Sequence, residues 1–98
     1  MNLIFLEQAV LELEDGKEYY NLKQDKLGEN FKQTVQECID RILYNPELYP
    51  KLQDEIRRCI IHKFPYNIYY THDKTKKTIV ILSIAHQRRK PYYWIENK

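Results

Sequence analysis

The sequence predicts an α+β fold: a helical hairpin covering one face of a small, mainly antiparallel sheet. Three observations carry this prediction. Segments 56–62, 66–72 and 78–85 are short and rich in β-branched and aromatic residues, as strands are. Leu27, Phe31, Val35, Cys38, Ile39, Ile42 and Leu43 recur at helical spacing. A short apolar start precedes a first helical stretch, so the order reads β-α-α-β-β-β, and such an order implies α+β layering.

Asn2 to Leu6 is the expected first strand, which ties down the terminus by pairing with the sheet, beside the last strand. From Glu7 the period changes. Ala9, Val10, Leu13 and Tyr20 fall on a helical stripe with Gly16 inside it, and the helix should fade near Lys23. Glycine costs up to roughly 1 kcal/mol within a helix, so Gly16 points to close packing against it. Asp25 is the expected N-cap of the second helix, where its acidic side chain suits the positive helix end. Gly28 lies in that helix's first turn, where the two helices can approach closely. Asn45-Pro46 ends the second helix, because a residue before proline avoids the α region. Residues 46–50, with a proline at either end, form a stiff loop into the sheet.

The last three strands should form an antiparallel meander. Pro65 cannot donate to a ladder and belongs to the first connection, while Asp73 to Lys77 is a polar connection of hairpin length. Tyr66, Ile68 and Tyr70 share one face, expected to be the core face. Residues 79–85 are apolar on both faces for most of their length, which places that strand inside the sheet.

The chain has 98 residues, expected to form a single domain over 1–98 with a thin core. It contains no apolar run of membrane-spanning length and no basic lead before an apolar stretch of the secretory kind. A cytoplasmic protein without membrane contact is therefore expected. Cys38 and Cys59 fit no metal-ligand spacing, and both read as buried thiols of a reduced compartment. The net charge of +2 hides an asymmetry. Residues 1–49 hold five Lys/Arg against ten Asp/Glu, and residues 50–98 hold eleven against four. The helices are acidic and the sheet and tail basic, a polarity that attracts polyanions or an acidic partner.

Most catalytic signatures are missing. The two glycines fall in helices and form no phosphate loop, there is no nucleophile elbow, and no His-Glu zinc helix is present. No metal or cofactor is implied. Ser83, the single serine, sits within the apolar last strand and reads as a structural residue. The stretch from His86 to Trp94 is different. It joins an imidazole, three cations and three aromatic rings in nine residues. Such a mixture can hold phosphates while rings stack on bases, and its histidine can shuttle a proton near neutral pH. The same residues also suit a solvated basic tail anchored to the sheet by Trp94. Period-2 geometry puts His86 on the face of Ile84 and Leu82 if the strand runs that far.

Ile56-Arg57-Arg58, Phe64-Pro65-Tyr66, Ile68-Tyr69-Tyr70 and the run from Ile84 to Trp94 together resemble the RelE/ParE superfamily of bacterial toxins from type II toxin–antitoxin systems. The resemblance covers the whole chain. The Phe-Pro-Tyr junction and the His-x-Arg-Arg-x-Pro-x-x-Trp ending look most like the ParE, or plasmid-stabilisation, branch. That branch implies growth inhibition by binding DNA gyrase. The RelE branch implies cleavage of ribosome-bound mRNA, and an inactive relic of the same fold is a third reading. RelE-type nucleases carry arginines where this chain has Asn67 and Gln87. His86, Arg89 and Tyr93 are the candidates for a reduced catalytic set. Arg88, Arg89, Lys90, His62 and Lys63 are the candidates for contacting a target. The resemblance also implies a cognate antitoxin from an adjacent gene as partner.

Overall fold

The computed structural model describes residues 1–89. Its elements are β1 (Asn2–Phe5), α1 (Glu7–Lys23), α2 (Leu27–Tyr44), β2 (Lys51–Gln53), β3 (Ile56–Ile60), β4 (Tyr66–Asp73) and β5 (Thr78–His86). The five strands are ordered β1-β5-β4-β3-β2. β1 runs parallel to β5, and every other neighbour pair is antiparallel. The expected meander, the pairing of the first strand beside the last and the interior place of β5 are all present. β2 is an addition: three residues that pair with β3 through an irregular register. It is too short to show a pattern in sequence.

The core lies between the hairpin and one sheet face. Phe31, Val35, Cys38, Ile39 and Ile42 of α2 are buried against Cys59, Ile68, Tyr70, Ile79, Ile81 and Ile84 of the sheet. Each large aliphatic side chain so placed contributes about 1.5–3 kcal/mol. α1 is weakly amphipathic and buries Ala9 and Gly16, with Leu13 and Tyr20 half-covered. Val10, expected on that stripe, is exposed. A Cβ built on Gly16 would sit 2.7 Å from a ring carbon of Phe31, which is the close packing its glycine permits.

The helix junction corrects one expectation. Asp25 is not the N-cap of α2; Lys26 is, in the left-handed conformation with φ 65°, and it makes no side-chain cap. The connection is so tight that the free first-turn N–H of Gly28 meets the preceding helix instead. Asn21 of α1 accepts it at 2.7 Å through Oδ1. A Cβ on Gly28 would lie 2.2 Å from the carbonyl oxygen of Lys17, so only glycine allows this approach.

β5 carries a bulge. Tyr69 pairs with Ser83 and the next residue, Tyr70, pairs with Ile81, which leaves Leu82 as the extra residue. Strict alternation therefore fails there. Ile79, Ile81, Ile84 and His86 stand opposite His72, Tyr70, Ile68 and Tyr66 and share the helix-facing side. His86 keeps the face of Ile84 as expected, but Leu82 drops out of that set.

Candidate functional site

The described target-contacting candidates lie at one end of the sheet, where the β3–β4 connection meets the turn after β5. The connection is held from inside by an aromatic cluster. Phe31 lies 5.2 Å from Phe64 and 4.8 Å from Tyr66, and Tyr20 lies 4.9 Å from Phe64, all as ring centroids. Ile61 N–H donates to the Tyr66 carbonyl at 2.9 Å, closing the loop. Its tip exposes His62 and Lys63.

Gln87 ties the second segment to the first. Its backbone N–H donates to the Pro65 carbonyl at 2.7 Å. Its side-chain amide donates to the carbonyls of Ile61 and Tyr66, both at 3.3 Å. The turn then closes on His86: Arg88 N–H donates to Nδ1 at 3.1 Å and Arg89 N–H to the His86 carbonyl at 2.9 Å. Arg88 and Arg89 are exposed on this turn. The structure thus joins the two segments that carry His62 and Lys63 on one side and Arg88 and Arg89 on the other, which are far apart in sequence. Lys90, Tyr93 and the anchor residue Trp94 lie outside the described residues, as does the rest of the basic aromatic tail beyond Arg89.

His86 is half-buried, with its ring edge-on to Tyr66 at 5.3 Å. Because Nδ1 accepts from Arg88, the neutral ring carries its proton on Nε2. Position 67 lies one residue along β4 from Tyr66 and so points to the opposite face. Asn67 is 7% exposed; its Nδ2 donates to the Tyr69 hydroxyl at 3.4 Å, while its Oδ1 is buried without a partner. Neither Asn67 nor Gln87 presents a cation.

Glu12 of α1 is a member of this region that the sequence reading missed. Its Oε1 accepts from the Ser83 hydroxyl at 2.7 Å and from Ile84 N–H at 3.0 Å. β1 has ended by then, its last rung being Phe5 opposite Ile81, so the carboxylate takes over the open flank of β5. Burial raises the pKa of Glu12, against the lowering effects of those hydrogen bonds, of Gln8 and of the Arg89 charge. The available signal was an acid on the inward stripe, three residues after Ala9 and four before Gly16.

The other end of the sheet is chemically different. Glu47, Lys51, Glu55, Arg57, Thr71, His72, Asp73 and Lys74 line a cavity of about 560 Å³. Glu47 and Glu55 are paired with Lys74 and Lys51, and Arg57 donates to the Tyr49 carbonyl at 2.6 Å, so the charges there are largely balanced. Among the described residues no group of three or more His, Cys, Asp or Glu is placed to hold a metal ion. Among the same residues no helix is long and apolar enough to cross a membrane.

Comparison with known proteins gives a consistent family. The family described as ParE toxin of type II toxin-antitoxin system, parDE, matches residues 3–91. The chromosomal ParDE toxin–antitoxin system of P. aeruginosa aligns at TM-score 0.64 and 17% identity over 88% of this chain and 95% of that one. The isolated E. coli RelE toxin aligns at TM-score 0.67 and 16% identity over 98% and 94%. The intact E. coli RelBE toxin–antitoxin complex aligns at TM-score 0.68 and 16% identity over 90% and 98%. At these identities the likeness is one of fold. No curated protein sequence matches at a significant level.

Proposed function

The chain belongs to the family of ParE toxins of type II toxin–antitoxin systems, and from that premise we propose that it arrests growth by binding a macromolecular target, DNA gyrase, without cleaving RNA. His62, Lys63, Arg88 and Arg89, with Lys90 beyond them, are the target-contacting residues of this reading. Exposed cations on a turn held by backbone hydrogen bonds suit an acidic protein surface, where they speed encounter and fix orientation.

One observation favours binding over cleavage: His86 and residue 67 stand on opposite faces of the sheet. In-line RNA cleavage needs a base, an acid and cations around one phosphate. Here the imidazole is turned toward the hairpin and rests on Tyr66, residue 67 is a buried amide, and Gln87 is spent on the β3–β4 connection. A reduced catalytic set of His86, Arg89 and Tyr93 would have to assemble without either cation.

The partner of this reading is a cognate antitoxin encoded beside the toxin. Solved neighbours of the same fold include a ParDE system and a RelBE complex. The acidic hairpin and basic sheet end offer charges of both signs to a segment that folds on binding. Toxin, antitoxin and target would meet in the cytoplasm. The test is purified toxin added to a gyrase supercoiling reaction and, in parallel, to translating ribosomes. The proposal expects supercoiling to fail while the mRNA stays whole. Codon-boundary cuts with unimpaired gyrase would replace it with the nuclease reading, and no effect on either would leave the relic.

A further inference from the structure

β1 forms one edge of the sheet, and β5 is its one neighbouring strand among the described residues. Asn2 N–H donates to the Lys77 carbonyl at 2.8 Å and Leu6 N–H to the Ile81 carbonyl at 3.0 Å. Backbone groups alternate along a strand, so Asn2, Ile4 and Leu6 bond toward β5 while Leu3 and Phe5 turn their N–H and C=O outward. Around that edge Leu3, Ile4, Leu6, Val10 and Leu11 are all exposed. Exposed apolar side chains beside outward-facing backbone groups are the features that draw another strand. The far edge is guarded. β2 has three residues, an irregular register, and Lys51 paired with Glu55 at 2.8 Å.

We propose that this chain forms a two-fold homodimer in solution by pairing β1 with β1 of a second copy, antiparallel about Ile4, so that the two sheets join. The inference is independent of the target that the toxin binds. The occupant is a second copy because the edge is complementary to itself. Leu3 and Phe5, the residues that turn their backbone outward, are spaced equally on either side of Ile4. In an antiparallel pair centred there, Leu3 of each copy lies opposite Phe5 of the other. Each such pair exchanges two hydrogen bonds, and Ile4 faces its own counterpart at the closer, non-bonded position. Asn2 to Leu6 carries no charge in a chain that is 31% charged, so no side chain of the strand repels its copy.

Side chains and charges agree with that register. Leu3 and Phe5 stand beside Ile79 and Ile81, so they share the hairpin side, where each Leu3 packs on the Phe5 of the other copy. Ile4, 48% exposed on the other face, meets its counterpart across the axis. β1 runs parallel to β5 and therefore points toward the turn that bears Arg88 and Arg89. An antiparallel second copy sends its own pair of arginines to the opposite end of the joined sheet, which keeps these cations apart. Glu7, exposed just past β1, comes toward Lys77 of the other copy, which is exposed and holds the start of that copy's β1. Opposite charges thus flank both ends of the contact.

The experiment uses the full chain alone, its mass followed by sedimentation against concentration. A contact between two short strands lies at the small end of specific interfaces and sets a dissociation constant on the order of 10⁻⁵ M. The mass should therefore move from one chain to two across that range. Ile4→Lys and Ile4→Glu each place like charges opposite one another at the axis and should weaken association at least tenfold. Because Ile4 is exposed, the melting temperature of each variant should stay within a few degrees of wild type when both are dilute enough to be single chains. Mixing the two variants should restore pairing as a heterodimer of opposite charge, an outcome that reports the register as well as the partner. The proposal is overturned if the wild-type chain stays single up to about 1 mM, if it pairs but neither variant weakens it, or if the mixture stays single. An edge that pairs only with a strand of a different protein overturns it too.

Discussion

Replacing Glu12 with glutamine separates the charge of this carboxylate from its hydrogen bonds. The glutamine oxygen can still accept from the Ser83 hydroxyl and Ile84 N–H, which Glu12 holds at 2.7 and 3.0 Å. What disappears is the cost of keeping a negative charge in a desolvated place, the cost that raises the folded-state pKa. Between the unfolded carboxyl value, about 4.3, and the raised folded value, the folded chain binds more protons than the unfolded one. Stability from this group is thus lost as pH rises through that window and is flat above it. Glu12→Gln should match or exceed wild-type stability at pH 7, and the wild-type-minus-variant difference should fall as pH rises from 4 through the window. Glu12→Ala behaves differently. It strands a buried hydroxyl and a buried N–H at about 1–3 kcal/mol each, on the order of 2–6 kcal/mol together. Urea unfolding followed by far-UV circular dichroism over a pH series measures both. The difference between variants is the readout, because Glu47 and Glu55, lowered by Lys74 and Lys51, give slopes of the opposite sign. If glutamine proved as damaging as alanine at pH 7, or the difference rose with pH, the reasoning would be refuted.

Four further variants probe the frame and the basic end. Ile39→Ala, in the middle of the buried stripe, should cost about 2–5 kcal/mol in chemical denaturation. Gly28→Ala should cost more than Gly16→Ala in the same assay. Its new methyl meets the Lys17 backbone at 2.2 Å, whereas at Gly16 the methyl meets the Phe31 ring at 2.7 Å, a side chain that can give way for about 1–3 kcal/mol. Arg88→Ala combined with Arg89→Ala should abolish growth inhibition while the melting temperature stays within a few degrees of wild type. Full toxicity in that double variant would remove the turn from the functional site.

The parts of this fold that were legible in sequence are those with a repeating pattern. The α2 stripe, the three long strands and the close approaches at Gly16 and Gly28 each follow from local periodicity or from one residue's steric need. The parts that were not legible depend on residues brought together from afar. Glu12 meets Ser83 and Ile84 across more than seventy positions, and only its place on the inward stripe hinted at it. Asp25 looked like a cap because acid at a helix start is favourable, but Asn21 from the preceding helix already met the free N–H. The bulge at Leu82 leaves no trace in an apolar run whose residues are interchangeable in hydropathy. Gln87 read as the loss of a cation, whereas the structure uses it as a clamp on the β3–β4 connection. At the basic end the cation types were visible in sequence. The joining of the two segments that carry them, and the turning of His86 away from residue 67, were not.

The proposed means of growth arrest is binding of gyrase. Its most direct test is brief induced expression in bacteria without the cognate antitoxin, with DNA synthesis, DNA damage and translation followed in parallel from the first minutes. If gyrase is the target, replication stalls and a DNA-damage response appears while translation continues and mRNA remains uncut, and co-expression of the adjacent antitoxin gene restores growth. Early arrest of translation, with mRNA cut at codon boundaries and replication failing only afterwards, would contradict it.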